Sequence, residues 1–448
     1  MIALRLAVLF ARRQRVNDRL AGALPVAAFA VVVAMLLLVL GGAGALLNID
    51  NPMAGIYQAL TVLALALLVV PLITLGAAAA KLSARRRDAR LSSLVLLGAT
   101  QSQVAALTVV ESVTAALTGA LIGTAGYALL VPLMGLVEMG GSQLGASLWL
   151  PWYWLPLVWL GVSLVAAVSA LFGLRGVLVT PLGVRARQLP RLAKKRRVLI
   201  AAALVGLGLL FMVGMTAIGE LSGPIGIFIG IFVAFGCGIL ALDTVGPWYL
   251  ALRAKFALRR AQNVERILAA RAILDDPLSA WRNVAGLALT TFISVIAAAG
   301  LGIVDLASGS ITSADELQLF IDIRTGAYLT LAIAFVMVAA TVAISQAANT
   351  LDRARVHVAM DWLGVPQDLM ARAARRSVMS AVTGVMAGAA ILAALLMFPL
   401  VGISLLMRPV ALLAMAVAFV LGVLLVRAAA SVSGRLVPGI LARPERIL

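Results

Sequence analysis

The sequence predicts an all-α polytopic membrane protein, and three observations lead to this class. Hydrophobic residues make up 63% of the 448 positions, and the mean hydropathy of +1.09 exceeds what a soluble core requires. Ten apolar stretches are each long enough to cross a bilayer, because about 20 apolar residues span roughly 30 Å of hydrocarbon. The basic residues collect in the loops of one side. We therefore expect ten transmembrane helices.

The predicted spans follow one another closely and leave no loop long enough for a separate domain. They are 24–47, 57–80, 104–136, 151–174, 198–217, 225–246, 284–304, 326–348, 378–401 and 408–430. The longest outer loop is expected near 305–325. Most of the chain is therefore expected to lie within the bilayer or at its surface.

The loops on the two sides of the membrane differ in charge. Counted from a cytoplasmic N-terminus, 34 of the 36 Lys and Arg residues fall in cytoplasmic segments, and only Arg324 and Arg408 fall elsewhere. Because Lys and Arg collect in cytoplasmic loops, both termini are expected in the cytoplasm. The same asymmetry explains the net charge of +18 by orientation and contact with anionic lipid. We expect no nucleic-acid partner.

The sequence lacks the side chains from which common metal and catalytic sites are built. Cys237 is the single cysteine and excludes an intrachain disulfide or a cysteine metal cluster. His357, the single histidine, lies in a basic cytoplasmic loop, and no Gly-x-x-x-x-Gly-Lys-[Ser/Thr] phosphate-binding motif occurs. We expect a protein that is not an enzyme and holds no cofactor or metal. Any ATP-driven action needs a separate motor.

A pattern of landmarks occurs twice, once near 85–126 and again near 353–391. Each copy has a basic stretch, a short segment containing Leu-Gly, and an apolar helix with two glycines four residues apart. The landmarks are Leu97-Gly98-Ala99-Thr100, Gly119 and Gly123 in the first copy and Leu363-Gly364-Val365-Pro366, Gly384 and Gly388 in the second. Gly98 and Gly364 are 266 residues apart, and Gly119 and Gly384 are 265 residues apart. Because the order is kept, we interpret the pattern as an internal repeat.

The repeat arranges the ten spans as 4+2+4. Residues 1–197 form the first four-helix repeat, with a cytoplasmic elbow and a short amphipathic helix that precedes the third span. Residues 198–250 supply two linking transmembrane helices, and residues 251–448 form the second four-helix repeat. Both repeats enter the membrane from the cytoplasmic side, so they are parallel.

These residues resemble the FtsX-like permease family, which is found in MacB-type (type VII) ABC transporters. The resemblance is carried by the basic stretch 85–90, segment 97–100, Gln103, Glu111 and the helix with Gly119 and Gly123. It is further carried by Leu268-Ala269-Ala270-Arg271, Asp276-Pro277 and Trp281-Arg282, which are similar to the family's approach to a first span. The ten-span layout is similar to that of BceB-like permeases without their large extracellular domain.

The resemblance implies the membrane-spanning permease subunit of an ABC transporter in the bacterial cytoplasmic membrane. A separate cytoplasmic ABC ATPase would drive transport, extraction or transmembrane signalling of an amphiphilic lipid or peptide, and membrane lipid is a further partner. Two coupling segments imply two ATPase subunits per chain. The residues implied to contact the ATPase are Leu96, Leu97, Gly98, Ala99, Thr100 and Gln103 in the first copy and Leu363, Gly364, Val365 and Gln367 in the second. The second copy has Val365-Pro366 in place of Ala-Thr and no matching glutamate, so its coupling role is weaker.

The residues also leave two other functions open. An ATP-independent secondary transporter would use intramembrane acids, of which Asp243 lies near the inner end of the sixth span. A non-transporting scaffold or sensor would need neither an acid nor a motor. Glu111, the other intramembrane acid, either bonds to the coupling region and stiffens it or reaches the interface.

Two further groups have a structural and a functional interpretation. The glycine pairs either let helices approach closely or act as gates, and we favour packing. The aromatic cluster at the outer edge of the fourth span is either an interfacial anchor or a vestibule for an amphiphile. Its members are Trp149, Trp152, Tyr153, Trp154 and Trp159.

Overall fold

The computed structural model describes residues 19–49, 53–85, 100–139, 142–145, 147–178, 195–307, 314–352 and 362–401, together with positions 420, 424, 427 and 428. Nearly all of these residues are helical, which confirms the predicted all-α polytopic class. Their helices are α1 (Arg19–Leu47), α2 (Ala54–Arg85), α3 (Gln101–Met134), α4 (Trp154–Leu178), α5 (Lys195–Val213), α6 (Met215–Arg259), α7 (Val264–Asp275), α8 (Pro277–Ala307), α9 (Ala314–Asp352) and α10 (Gln367–Val401). A two-stranded antiparallel hairpin, β1 (Glu138–Met139) and β2 (Ser142–Gln143), lies between α3 and α4.

Eight helices of the described part are long and apolar enough to cross a membrane, so the chain is a multi-pass membrane protein. Their apolar segments are Ala23–Leu47, Ala54–Ala80, Ser102–Met134, Trp154–Leu171, Arg196–Val213, Ile229–Arg259, Leu317–Ala348 and Arg376–Pro399, and each overlaps one predicted span. The predicted span 284–304 lies in α8, whose described apolar part, Val284–Ala297, is shorter than a span. The span at 408–430 falls outside the described residues except for four positions. These two spans stay predictions.

The predicted outer loop near 305–325 is wrong over most of its length. Helix α8 continues to Ala307, and α9 already begins at Ala314. The hydropathy pattern placed the charged stretch outside the helix because acidic residues lower the local average. A helix accepts such residues once they are buried with partners, and Asp322 is fully buried.

The long helices form because hydrocarbon offers no partner to main-chain N–H and C=O groups, which must then bond within the same segment. Buried hydroxyl groups follow the same rule. Six of them donate to the carbonyl oxygen four residues earlier, from Thr61, Thr108, Thr290, Thr291, Ser294 and Thr341. These polar side chains therefore satisfy their own helices.

The described helices belong to two compact units. The first unit is Met1–Asp50, Leu72–Arg187 and Ala347–Asp352. Within it α1 packs along α3, and α3 also packs against α4. Phe29, Val33 and Leu37 recur every four residues on one face of α1 and are buried. The core of this unit is therefore a tight helix pair.

The second unit is Asn51–Pro71, Gln188–Gln346 and Arg353–Leu448. Helix α8 packs along α10, while α6 contacts α5, α7, α8 and α10. Phe292, Met386 and Leu396 are fully buried in the cluster that these helices share. The short helix α7 packs against α6 and α10, with Ile273 buried. This unit is a bundle built around the α8–α10 pair.

Candidate functional site

The first predicted coupling segment ends where α3 begins, and Leu96–Ala99 lie outside the described residues. Thr100 is the N-cap of α3, with extended backbone at φ −71° and ψ 154°. The main-chain N–H of Gln103 donates to Thr100 Oγ1 at 3.4 Å, and the N–H of Thr100 donates to Gln103 Oε1 at 3.1 Å. This reciprocal capping box satisfies two N–H groups that a helix start would otherwise leave open. Thr100 and Gln103 therefore fix the start of α3.

The second predicted coupling segment starts its helix differently. Gly364 has φ +77°, a left-handed conformation that a side chain disfavours, and nothing lies near the position of an added Cβ. Val365 is half-buried, and Pro366 accepts a hydrogen bond of 3.0 Å from Leu369 N just after α10 begins at Gln367. Backbone geometry therefore redirects the chain into α10 here. The glycine at this position serves the turn rather than close packing.

The turn carries two large apolar side chains that point away from the protein. Leu363 is 81% exposed and Trp362 is 66% exposed. Leu363 was predicted as a contact residue, whereas Trp362 was not. The signal for Trp362 in the sequence is its place directly before Leu363-Gly364. The two side chains form an apolar tip, defined here as Trp362 and Leu363.

A pair of ion pairs ties the first turns of α10 to α7. Arg372 Nε lies 2.9 Å from Glu265 Oε1, and Arg376 Nη1 lies 3.3 Å from Glu265 Oε2. The side chain of Glu265 is 22% exposed, while the arginines are 60% and 42% exposed. Glu265 was missed in the sequence, although an acid beginning a helix within a strongly basic segment is a usable signal. Helix α7 therefore braces the end of α10 that follows the apolar tip.

Glu111 lies on α3 eleven residues after Thr100, which is about 16 Å along the helix at 1.5 Å per residue. Its side chain is half-buried. The Thr114 hydroxyl donates to the main-chain oxygen of Glu111 at 3.0 Å. Both functional interpretations of Glu111 stay predictions.

Asp243 on α6 accepts a hydrogen bond of 2.8 Å from the indole Nε1 of Trp281 on α8. Trp281 is 3% exposed, and its ring lies directly over Gly246, where an added Cβ would collide with it. A buried indole needs an acceptor for its N–H group. Asp243 therefore acts as a packing partner that holds α8 against α6.

Gly119 and Gly123 bring α3 against the backbone of α1. A Cβ at Gly119 would lie 2.6 Å from Phe29 Cβ and 2.8 Å from the oxygen of Val26. A Cβ at Gly123 would lie 2.9 Å from Val33 Cβ and would collide with the oxygen of Ala30. Neither position has room for a side chain. The glycines therefore allow the close approach of the two helices.

Gly384 and Gly388 on α10 face side chains of α6 rather than another backbone. An added Cβ at Gly384 would collide with the guanidinium of Arg253, and one at Gly388 would lie 3.2 Å from the ring of Tyr249. The hydroxyl of Tyr249 donates to the oxygen of Gly384 at 3.1 Å. The lack of a side chain at Gly384 and Gly388 leaves room for the large side chains of Arg253 and Tyr249. The two glycine pairs therefore have different partners.

The aromatic cluster follows the hairpin along the chain and continues into α4. Trp152 is 79% exposed, whereas Trp159 donates from Nε1 to Thr124 Oγ1 at 3.0 Å. Tyr127, which was not singled out from the sequence, donates to the oxygen of Leu148 and accepts from Leu150 N at 3.1 Å. These bonds fix the chain that enters the cluster. The ring of Trp152 stays exposed.

Among the described residues, no three His, Cys, Asp or Glu side chains are placed to share a metal ion. The strongest candidate site is the N-terminal end of α10, where the apolar tip and Gly364 precede the helix and Arg372 and Arg376 on its first turns pair with Glu265 of α7. No protein-family model matches the sequence, and neither a curated protein nor a solved structure matches the chain.

Proposed function

We propose that this chain is the membrane-spanning permease subunit of an ABC transporter of the FtsX-like type, driven by a separate cytoplasmic ABC ATPase. The observation that carries the proposal is the apolar tip, with Leu363 81% exposed at the start of α10. Large apolar side chains that protrude beside a basic surface gain most by entering a pocket of a partner. The apolar tip is therefore the surface that binds the cytoplasmic ATPase.

Helix α10 is suited to carry a displacement from the tip into the membrane. Its 35 residues correspond to about 52 Å of helix, more than the roughly 30 Å of hydrocarbon. The same helix packs along α8 over the core of the second unit. Glu265 links its first turns to α7, so that a push on the tip moves α7 and α10 together. This continuity supports a coupling role.

The proposal includes the ten-span, 4+2+4 layout with two parallel repeats. One feature of the packing supports it: α1 packs along α3 in the first repeat, and α8 packs along α10 in the second. These pairs are the first and third spans of each proposed repeat. A chain with two coupling segments would bind two ATPase subunits and form both halves of the transporter by itself.

The proposed substrate is an amphiphilic lipid or peptide in the bacterial cytoplasmic membrane. Exposed aromatic side chains at the outer edge support this class, because a ring such as that of Trp152 suits a molecule that is apolar at one end and polar at the other. The outer segments between described helices are short, so the substrate would be taken from the bilayer itself.

Asp243 gives little support to a secondary transporter. Its Oδ1 is engaged by Trp281, and a proton path needs a chain of ionisable groups rather than one hydrogen-bonded acid. The ABC permease is therefore preferred over an ATP-independent carrier and over a scaffold without transport.

Co-purification with the ABC ATPase encoded beside the gene tests the proposal. We expect the ATPase to be retained by the unaltered chain and lost from Leu363→Asp. Val264→Asp is the matched control, because Val264 is also an exposed cytoplasmic apolar residue, 59% exposed, at the start of α7. Retention by Leu363→Asp would reject the tip as the contact. Absence of any bound ATPase, with transport that follows a proton gradient, would reject the function.

The stoichiometry of the purified complex is a separate test. We expect one permease chain with two ATPase subunits, measured by native mass spectrometry. Two permease chains per ATPase pair would show that one chain supplies only half of the transporter.

A further inference from the structure

Tyr57 and Asp322 form a buried polar contact in the second unit, between α2 and α9. The hydroxyl of Tyr57 donates to Asp322 Oδ2 at 2.5 Å, and Gln318 Nε2 donates to Asp322 Oδ1 at 3.1 Å. Asp322 is completely buried and Tyr57 is 4% exposed. Both carboxylate oxygens are therefore engaged by donors, which is what a buried acid requires.

The sequence separation of these two residues is informative. Tyr57 and Asp322 are 265 residues apart, the same step that separates Gly119 from Gly384. It differs by one residue from the step between Gly98 and Gly364. If the two copies are a repeat, Tyr57 and Asp322 occupy equivalent positions, to within one residue, in the second span of each copy.

Contact between equivalent positions has a strict geometric meaning. A point and its image under a twofold rotation are separated by twice the distance of the point from the axis. Equivalent side chains therefore touch only where the axis passes between them. Parallel repeats in a membrane have such an axis along the membrane normal.

We propose that α2 and α9 form an axial pair and that Tyr57, Asp322 and Gln318 are a polar latch that holds the outer ends of this pair together. The two sides are complementary rather than identical. Two aspartates at the axis would repel each other, whereas a tyrosine opposite an aspartate gives a donor and an acceptor. A single chain carrying both copies permits this difference.

The latch lies at the end of the helices that is away from the proposed motor. Tyr57 follows the first residue of α2 by three positions, and Asp322 follows that of α9 by eight. Charge placement puts both helix starts on the outer side. This part of the inference rests on the proposed function: motion driven from the cytoplasmic ends would separate α2 from α9 at the latch and open the outer face.

Cross-linking in native membranes tests the axial pair without any motor. In a Cys237→Ala background, Tyr57→Cys with Asp322→Cys should be joined by a thiol reagent with an arm as long as the missing tyrosine ring. Ile56→Cys with Ile321→Cys is the matched control, because this pair has the same separation but the side chains are 40% and 51% exposed. Peptide mass spectrometry reports the products. Equal yields for both pairs, or none for the first, would overturn the axial pair.

Exchange of the two sides tests the twofold relation more directly. Tyr57→Asp alone should lower the Tm because it places two carboxyl groups together. Asp322→Tyr alone should lower the Tm because it places two phenol rings together without the carboxylate acceptor. The double exchange should recover most of this loss. Adding Met53→Gln and Gln318→Met should recover the rest, since Met53 is 265 residues before Gln318. A double exchange no more stable than the single variants would contradict the equivalence.

The latch role is tested by the rate of cross-linking with the ATPase bound. We expect slower joining of the 57/322 pair when ATP is present than when it is absent, and an unchanged rate for the control pair. An unchanged rate for both pairs on a bound ATPase would overturn the latch and leave the proposed function standing. If no ATPase binds, the proposed function and the opening step fail together, while a positive cross-link keeps the axial pair.

Discussion

The indole Nε1 of Trp281 donates a hydrogen bond of 2.8 Å to Asp243 and thereby joins α8 to α6. Trp281→Phe removes the donor and shortens a buried side chain, so we expect a loss of about 1–3 kcal/mol in unfolding free energy. Thermal unfolding in nanodiscs measures it. Trp152→Phe, at a residue 79% exposed, should leave the Tm unchanged. Asp243→Asn keeps an acceptor for the indole N–H, so its loss of Tm should be small. Normal stability of this variant with abolished transport would instead assign Asp243 to proton transfer.

The close approach of α1 and α3 predicts a sharp difference between two glycines. Gly123→Ala places a Cβ against Ala30 and Val33, and overpacking of this kind costs about 1–3 kcal/mol. Gly161→Ala on α4 meets nothing within 4 Å and should be neutral or slightly stabilising. The Tm of the purified variants is the measurement. Equal Tm values for Gly123→Ala and Gly161→Ala would contradict a packing role for Gly123.

The left-handed turn at Gly364 predicts that the apolar tip depends on backbone conformation. Gly364→Ala adds a side chain at φ +77°, which costs about 1–2 kcal/mol, and should reduce ATPase retention. Asparagine tolerates this conformation, so Gly364→Asn should keep the ATPase. The comparison is made by pull-down at matched membrane abundance. If the alanine variant binds as well as the asparagine variant, the turn does not position the tip.

The capping box predicts a local effect at the start of α3. Thr100→Ala removes the acceptor for Gln103 N and should destabilise the first turn by about 0.5–2 kcal/mol. Hydrogen exchange of the amides of residues 101–104 should then become faster. Thr100→Ser keeps the hydroxyl and should exchange like the unaltered chain. Unchanged protection in the alanine variant would contradict the cap.

The ion pairs of Glu265 predict an effect that depends on salt. Exposed ion pairs are typically worth about 0.2–1 kcal/mol and weaken as salt rises. Glu265→Gln should speed hydrogen exchange in α7 at low salt, and the difference should shrink at high salt. Asp275→Asn removes an equal charge from the other end of α7 and serves as the control. A salt-independent difference would point to packing rather than charge.

The membrane class and eight spans could be read from the sequence because hydropathy over about 20 residues is a strong signal. The sequence did not show which face of each helix packs against protein and which faces lipid. Leu75 is fully buried and Leu129 is 79% exposed, yet lipid and protein core are equally apolar. The sequence therefore gives no difference between them, and the partners of Gly384 and Gly388 on α6 could not be foreseen.

The candidate site was only partly predictable for a related reason. Leu363 and Gly364 were singled out by their place in the repeat. Glu265 and Asp322 were not, because an acid acquires its meaning from distant donors: Arg372 is 107 residues from Glu265, and Tyr57 is 265 residues from Asp322. Only the fold brings such pairs together.

The contrast between the starts of α3 and α10 has a consequence for the order in which the chain becomes structured. Thr100 and Gln103 close the first turn of α3 with side chains three residues apart, so this end can form as soon as the segment is made. The first turns of α10 are tied instead to Glu265, which lies 107 residues earlier than Arg372 on a separate helix of only 12 residues, too short to be stable alone. The N-terminal end of α10 is therefore expected to be completed only when α7 packs against it, and to be the first part of the second unit to unfold on heating.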